Sequence, residues 1–403
     1  MKDKEVNGSV STEKVFEGIK VLDLGTGIAN PLSLRYLADY GATVVCVESI
    51  ERPSLLRTNQ PYKDFQPGIN RSGYYAILFP NIYSITLNLE LAEDQEIARE
   101  LAVWADIVGD SHRPGVAEKW GLDYNKLKTL NPDIIMIRSS NQGLTGPRAR
   151  YRGYGNQLNG LTGFVNLCGL PDQEPVCFMV AYTDYFVPCF AVAALAGALE
   201  YRRRTGKGQL LDISQLEVGL QFLSTWLLNY SVNGIEQKAA GNRCDYAAPH
   251  GVYPCAGDDR WCAISVFTEE EWKAFCIAIG NPSWADQPEF QTLLARKKNE
   301  DELDRLIGEW SCQKDAYVVM HILQNAGVAA GVVQNARDLN EDPQLKARET
   351  LWVGEHAEMG KVSHLSQPAH LSKTPARLYR SAPLLGEHNH YVLSALLGRQ
   401  TPG

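Results

Sequence analysis

Gly18-Ile-Lys-Val-Leu-Asp-Leu24 runs into Gly25-Thr-Gly27, and beyond the segment Pro31–Tyr40 the chain reads Thr43-Val-Val-Cys-Val-Glu48. The first and last runs are rich in β-branched residues, and the segment between them repeats apolar residues at helical spacing through Leu34, Leu37 and Ala38. Strand, glycine turn, helix and strand within about thirty residues make a βαβ unit. Its two strands are parallel and its crossover right-handed. The chain therefore opens as an α/β sheet.

The alternation continues downstream. Ser84–Leu89, Asp106–Val108, Asp133–Arg138 and Gln209–Ile213 read as strands, with helical patterns over 92–105, 122–130 and 217–232. Glu51–Tyr75, rich in Pro, Asn, Gln and Arg, reads as a long surface loop that carries ligand contacts. Leu161–Tyr201 is strongly apolar and predicts the most buried helix, ended by Gly206-Lys-Gly208. Later, Gly251–Tyr253 and Trp261–Val266 form a hairpin across Gly257-Asp-Asp259, followed by helices over 269–280, 291–295, 302–310 and 316–326. The expected organisation is a Rossmann-like parallel-sheet large domain from 13–235, a smaller α+β domain from 240–328, and a return to the large domain over 329–403.

The 403 residues are 44% hydrophobic and 21% charged, with a net charge of −8, which argues against non-specific binding to nucleic acid or anionic membranes. A small charged ligand fits better. Met1–Thr12 is polar, and the longest apolar run, Tyr185–Leu199, is short of the ~20 residues of a spanning helix and contains Pro188, so a cytoplasmic location is expected. Nine cysteines without a C-x-x-C pair fit a reducing compartment and predict no metal site.

Two motifs carry chemistry. Val21-Leu-Asp-Leu-Gly25-Thr-Gly27, with Glu48 about twenty positions on, matches the glycine turn and ribose-binding acid of a dinucleotide fold, and resembles the opening of an S-adenosylmethionine methyltransferase. Against it, Ile28 and Ala29 stand where a third glycine belongs, and Pro31 follows. The other is Asp184, a lone carboxylate where the apolar run begins, in Ala181-Tyr-Thr-Asp184-Tyr-Phe-Val-Pro188. Burying a carboxylate is costly unless it is paired or used, and the position suits either a nucleophile or a helix N-cap.

Further stretches share one order. They are Leu37-Ala-Asp-Tyr-Gly-Ala42, Ser84-Ile-Thr-Leu-Asn-Leu89, Ala105-Asp-Ile-Val108, Arg113-Pro-Gly115, Gly121-Leu-Asp-Tyr124, Gly146-Pro147, Arg203-Arg-Thr-Gly-Lys-Gly-Gln209, Asp342-Pro-Gln-Leu345 and Pro383-Leu-Leu-Gly-Glu-His-Asn389. Together with the opening unit they resemble the class III CoA-transferases, which include formyl-CoA:oxalate, carnitine and aromatic-acid CoA-transferases.

The resemblance implies that Asp184 is the catalytic residue. It would form an aspartyl anhydride and then an aspartyl-CoA thioester, with CoA thioesters as substrates, no tightly bound cofactor and no metal. It further implies that Thr26, Ile28, Ala29, Arg52, Ser111, His112, Lys119 and Arg152 line the CoA site, with Tyr154 at the substrate. The partners would be an acyl-CoA and a small carboxylic acid. The assembly would be an interlaced dimer, either a homodimer or a heteromer with a related subunit. Tyr182, Tyr185 and Phe186 are expected as dry walls beside Asp184, which favours a bulky acceptor: CoA would pass from succinyl-CoA to benzylsuccinate or another aromatic or dicarboxylic acid.

The chain also departs from the family pattern. Asn81-Ile-Tyr-Ser84 lacks a basic residue many relatives carry, Ile28 stands where some carry a glutamine, and the glycine-rich loop that some relatives close over the intermediate is not evident around Cys244–Gly251. Two alternatives therefore stand beside the enzyme: a non-catalytic subunit of a heteromeric CoA-transferase, and an S-adenosylmethionine-dependent methyltransferase.

Overall fold

Six parallel strands, β1 (Lys20–Asp23), β2 (Thr43–Glu48), β3 (Tyr83–Thr86), β4 (Ile107–Asp110), β5 (Ile135–Ser140) and β6 (Leu210–Ser214), form one sheet in the order β3-β2-β1-β4-β5-β6 in the computed structural model, which describes residues 13–400. Successive side chains on a strand point to opposite faces. Val21, Ile107 and Ile135 therefore enter one apolar core while Leu22, Val108 and Met136 enter another. Burial on both faces explains why these strands read as continuous apolar runs rather than alternating ones.

Helix α1 (Ala29–Asp39) brings Leu34 and Leu37 to the first core, and α2 (Ala92–Trp104) brings Ala98 and Leu101 to the second. Helices α3 (Gly155–Leu161), α4 (Tyr182–Thr205), α5 (Gln215–Phe222) and α6 (Ser224–Asn233) follow in the same unit. The order reverses between β1 and β4, and in open α/β sheets ligands bind outside the carboxyl ends of the strands at such a switch point.

Helix α4 corrects one expectation. Of its 24 residues only Thr183, Val187, Ala191, Leu195 and Ala198 are buried, a single stripe that packs in the core shared with α1. It continues through Pro188, so by length and composition it could cross a membrane, a test that core helices of soluble proteins also pass. Proline has no N–H, so the Asp184 carbonyl loses its usual helical partner.

The chain divides into two units. Among the described residues the larger comprises 13–165, 177–236 and 344–400, and the smaller 166–176 and 237–343. In the smaller unit, β7 (His250–Pro254), β8 (Trp261–Ser265) and β9 (Ala329–Val332) form an antiparallel sheet. Helices α7 (Glu269–Ala278), α8 (Glu300–Ser311) and α9 (Ala316–Asn325) cover it through Trp272, Phe275, Leu303, Ile307, Val319 and Leu323. The expected return at residue 329 is thus too early. Ala329–Val332 pairs with Cys262–Ser265, because the free edge of β8 takes a strand whose Ala330 and Val332 also pack on that core.

Candidate active site

At the carboxyl end of β1, the Asp23 carboxylate accepts from the Gly25 N–H at 2.8 Å and from Asn30 Nδ2 at 3.3 Å, and burial pushes its pKa up to about 7. Across the switch point, Ser111 Oγ accepts from the Thr26 N–H at 2.7 Å and donates to the Thr26 carbonyl at 2.8 Å. A Cβ on Gly25 would lie 2.9 Å from Asp23 Oδ1 and 3.1 Å from Ser111 Oγ, so the turn needs glycine for close approach. Ile28 and Ala29 are buried at the start of α1. Thr26, Ile28, Ala29 and Ser111 are therefore gathered on one ridge.

His112 is fixed to the same ridge. Its Nδ1 lies 2.7 Å from Asp110 Oδ1, its backbone N–H donates to that oxygen at 2.9 Å, and its ring meets Trp120 edge-on. The other Asp110 oxygen takes Arg138 Nε at 2.9 Å, and Arg138 Nη1 reaches Glu118 at 2.8 Å. Two predicted cations converge elsewhere: Lys119 pairs with Glu90, and Arg52 also acts on that carboxylate, which is held below its usual range by the Lys119 hydrogen bond. Arg152 and Tyr154 are exposed on the segment leading into α3, where the Tyr154 N–H donates to Gln157 Oε1 at 3.0 Å.

Asp184 lies in the first turn of α4 and is partly buried. It is not the N-cap: that position is Ala181, whose carbonyl accepts the Asp184 N–H at 3.0 Å. The carboxylate packs on the first residue of α3, where a Cβ at Gly155 would fall 2.7 Å from Asp184 Oδ2 and 2.3 Å from the Ala181 Cβ. Gln215, buried at the start of α5, follows the last residue of β6. Burial raises the Asp184 pKa to about 6, and Gln215 opposes the shift.

Of the expected aromatic walls, Tyr185 is partly buried, with its hydroxyl 3.0 Å from that of Tyr74. Residues two apart on a helix differ by about 200°. Tyr182 and Phe186 accordingly turn away and stack on each other at 5.7 Å, and Phe186 stacks on Phe222 at 4.1 Å.

A family model described as CoA-transferase family III matches residues 16–389. The chain belongs to this family. It is 32% identical to a succinyl-CoA–D-citramalate CoA-transferase of Chloroflexus aurantiacus, over 95% of this chain and 94% of that one. It is 31% identical to a succinate–glutarate CoA-transferase of Agrobacterium fabrum, over 94% and 95%. The crystal structure of a CAIB/BAIF family protein from Brucella suis superposes with a TM-score of 0.87 at 30% identity, covering 95% of this chain and 99% of that one.

In this family III CoA-transferase the acid that suggested a dinucleotide fold is already occupied. Glu48 takes Arg57 Nε and Nη2 at 2.7 Å each, Ser84 Oγ at 2.6 Å and the Tyr75 hydroxyl at 3.3 Å, so it is buried in an internal ion pair and hydrogen-bond network rather than turned out to a ribose. The glycine turn is real, and its ribose-binding acid is not. Gly155, Gln215 and Tyr74 escaped the sequence reading. Gly155 directly follows Tyr154, and Gln215 sits one residue past the end of β6, where site residues of parallel sheets gather.

Proposed function

We propose that this CoA-transferase moves CoA from succinyl-CoA to a dicarboxylic acid through covalent intermediates on Asp184. The observation that carries the reading is a carboxylate held against the turn into α3, with its pKa lifted to about 6 by burial and no ion pair to it among the described residues. Such a group is anionic at neutral pH yet poorly solvated, which suits a nucleophile.

The carboxylate attacks the thioester carbonyl, forms the mixed aspartyl anhydride and releases CoA thiolate. The thiolate then attacks the Asp184 Cγ, displacing succinate and leaving the aspartyl-CoA thioester. The acceptor carboxylate attacks that thioester, and the returning thiolate completes the transfer. For the CoA moiety the reading uses Thr26, Ile28, Ala29, Ser111 and His112 along the ridge, with Arg52, Lys119 and Arg152 as phosphate partners and Tyr154 toward the acid.

Relatives named for succinyl-CoA with citramalate, and for succinate with glutarate, support the donor and a dicarboxylate acceptor. Benzylsuccinate remains within that class, but the argument for an aromatic acid weakens because Tyr182 and Phe186 face away from Asp184. A dimer interlaced through the outer faces of α4, α5 and α6 completes the reading. Helix α6 has no buried residue, and its Trp226, Leu227, Leu228, Tyr230 and Val232 are 40% to 69% exposed.

The test is to incubate the protein with succinyl-CoA and, separately, citramalate, malate, glutarate and benzylsuccinate, and to separate the CoA esters by chromatography. A new CoA ester that disappears in Asp184→Asn supports the proposal. Full transfer by Asp184→Asn would sink it and favour a non-catalytic role for this aspartate.

A further inference from the structure

Resting on the covalent role of Asp184, we infer that Asn141 is a positioning residue, which from the end of β5 holds the Gly153–Gly155 backbone against the reacting carboxylate. Asn141 directly follows Ser140, the last residue of β5. Its Nδ2 donates to the Gly153 carbonyl at 2.8 Å. Turning the amide over would set two oxygens against each other, so only one orientation suits the contact. The pair is also close-packed, since a Cβ at Gly153 would fall 3.1 Å from that nitrogen.

The segment it grips needs a tie. Arg148, Arg150, Tyr151, Arg152 and Tyr154 are exposed, and the N–H groups of Ala149, Tyr151 and Tyr154 donate to Gly146, Arg148 and Gln157, all close in sequence. Asn141 instead reaches the segment from the sheet. Consecutive residues span at most about 3.6 Å each, so fixing Gly153 limits where Gly155, two residues on, can lie. Gly155 is the backbone that meets the nucleophile: a Cβ there would fall 2.7 Å from Asp184 Oδ2.

The main chain of Asn141 holds a second wall. Its carbonyl accepts the Leu216 N–H at 3.0 Å in the first turn of α5. Three residues on, a Cβ at Gly219 would fall 3.2 Å from Cγ2 of Thr183, the neighbour of Asp184. Asn141 thus joins two backbones that pack on the first turn of α4. A nucleophile gains rate from being held at its target, and a misplacement of about 1 Å costs about 10²-fold. The Leu216 bond survives any substitution, because it uses the main chain, so variants at position 141 probe the Gly153 arm alone.

The test compares wild type, the near-isosteric Asn141→Asp, which loses the donor, and Asn141→Leu, each alone and combined with Gly155→Ala. Transfer from succinyl-CoA and the rate of hydroxylamine trapping at Asp184, located by mass spectrometry, are both expressed per folded protein from circular dichroism. Each Asn141 variant should lose about 10²-fold in turnover and in trapping rate alike. Adding Gly155→Ala should cost no more than a further few-fold, because both changes act on one wall, whereas independent sites would multiply to about 10⁴-fold. A merely structural role would lower activity only in step with the folded fraction. If wild type gives no trapped Asp184, the covalent reading itself fails. If wild type is trapped and both Asn141 variants keep its rates per folded protein, or their losses multiply with that of Gly155→Ala, the role of Asn141 is overturned while Asp184 stands.

Discussion

Glu48 and Asp184 are two acids of the same unit whose surroundings are opposites. Glu48 is buried and paired: a bidentate arginine, a serine and a tyrosine bond to its oxygens, and Arg57 also bonds to the Pro383 carbonyl and lies over the Tyr75 ring at 3.7 Å. Asp184 is partly open, has no ion pair among the described residues, and packs on the bare backbone of a glycine. An acid so heavily bonded ties β2 to the loop beyond it and to the C-terminal segment. An acid left with spare lone pairs and a raised pKa is free to form a bond.

The sharpest way to break this comparison is to remove each acid's function in turn. Asp184→Asn should lower transfer by about 10⁴-fold or more while the protein stays folded, read by CoA-ester chromatography alongside circular dichroism. Arg57→Leu should do the reverse. By stranding Glu48 in the interior it should cost about 3–5 kcal/mol of stability, measured by urea unfolding, with any lost activity following the unfolded fraction.

Gly155→Ala probes the wall of the open acid. A methyl group 2.7 Å from Asp184 Oδ2 must displace either the carboxylate or the start of α3. Turnover should fall by about 10²-fold, with a stability loss of about 1–3 kcal/mol. A variant with wild-type kinetics would show that the carboxylate does not need this position.

The pH dependence sharpens the contrast further. Asp184 attacks as the anion, so the rate of its modification by acyl-CoA should be half-maximal near pH 6 and fall below it. The stability consequence has the same origin. A carboxyl whose folded pKa is raised favours the folded state below its unfolded pKa, and that contribution is lost as pH rises through about 6. Asp184→Asn should therefore stabilise the protein by about 1–2 kcal/mol at pH 8, with the gain vanishing near pH 4, as followed by thermal melts.

The reach of the sequence follows the same physics. The β1–α1–β2 unit was legible because its signals are local: apolar period, a glycine turn, β-branched runs. Asp184 was legible as an anomaly, a charge at the start of an apolar helix. Its neighbours were not. Gly155 lies 29 residues before it in the numbering, and only the packing of α3 against α4 brings it to the carboxylate. The aromatic residues nearest in sequence proved misleading, because at two positions away a helix turns Tyr182 and Phe186 to the opposite side. The outer face of α4 was misread for a related reason: apolar composition looks alike whether a face packs on its own core or is left open, and α6 repeats the ambiguity. Strand β9 was assigned to the wrong unit because nothing in Ala329–Val332 specifies which sheet edge it will extend.

The central claim is that Asp184, and not another carboxylate, becomes acylated. Trap the protein with hydroxylamine in the presence of succinyl-CoA, digest it, and locate the modification by tandem mass spectrometry. The account predicts thioester-dependent modification confined to Asp184 and abolished by adding a good acceptor acid in excess. Modification at a different carboxylate, or none at Asp184 during active transfer, would contradict it.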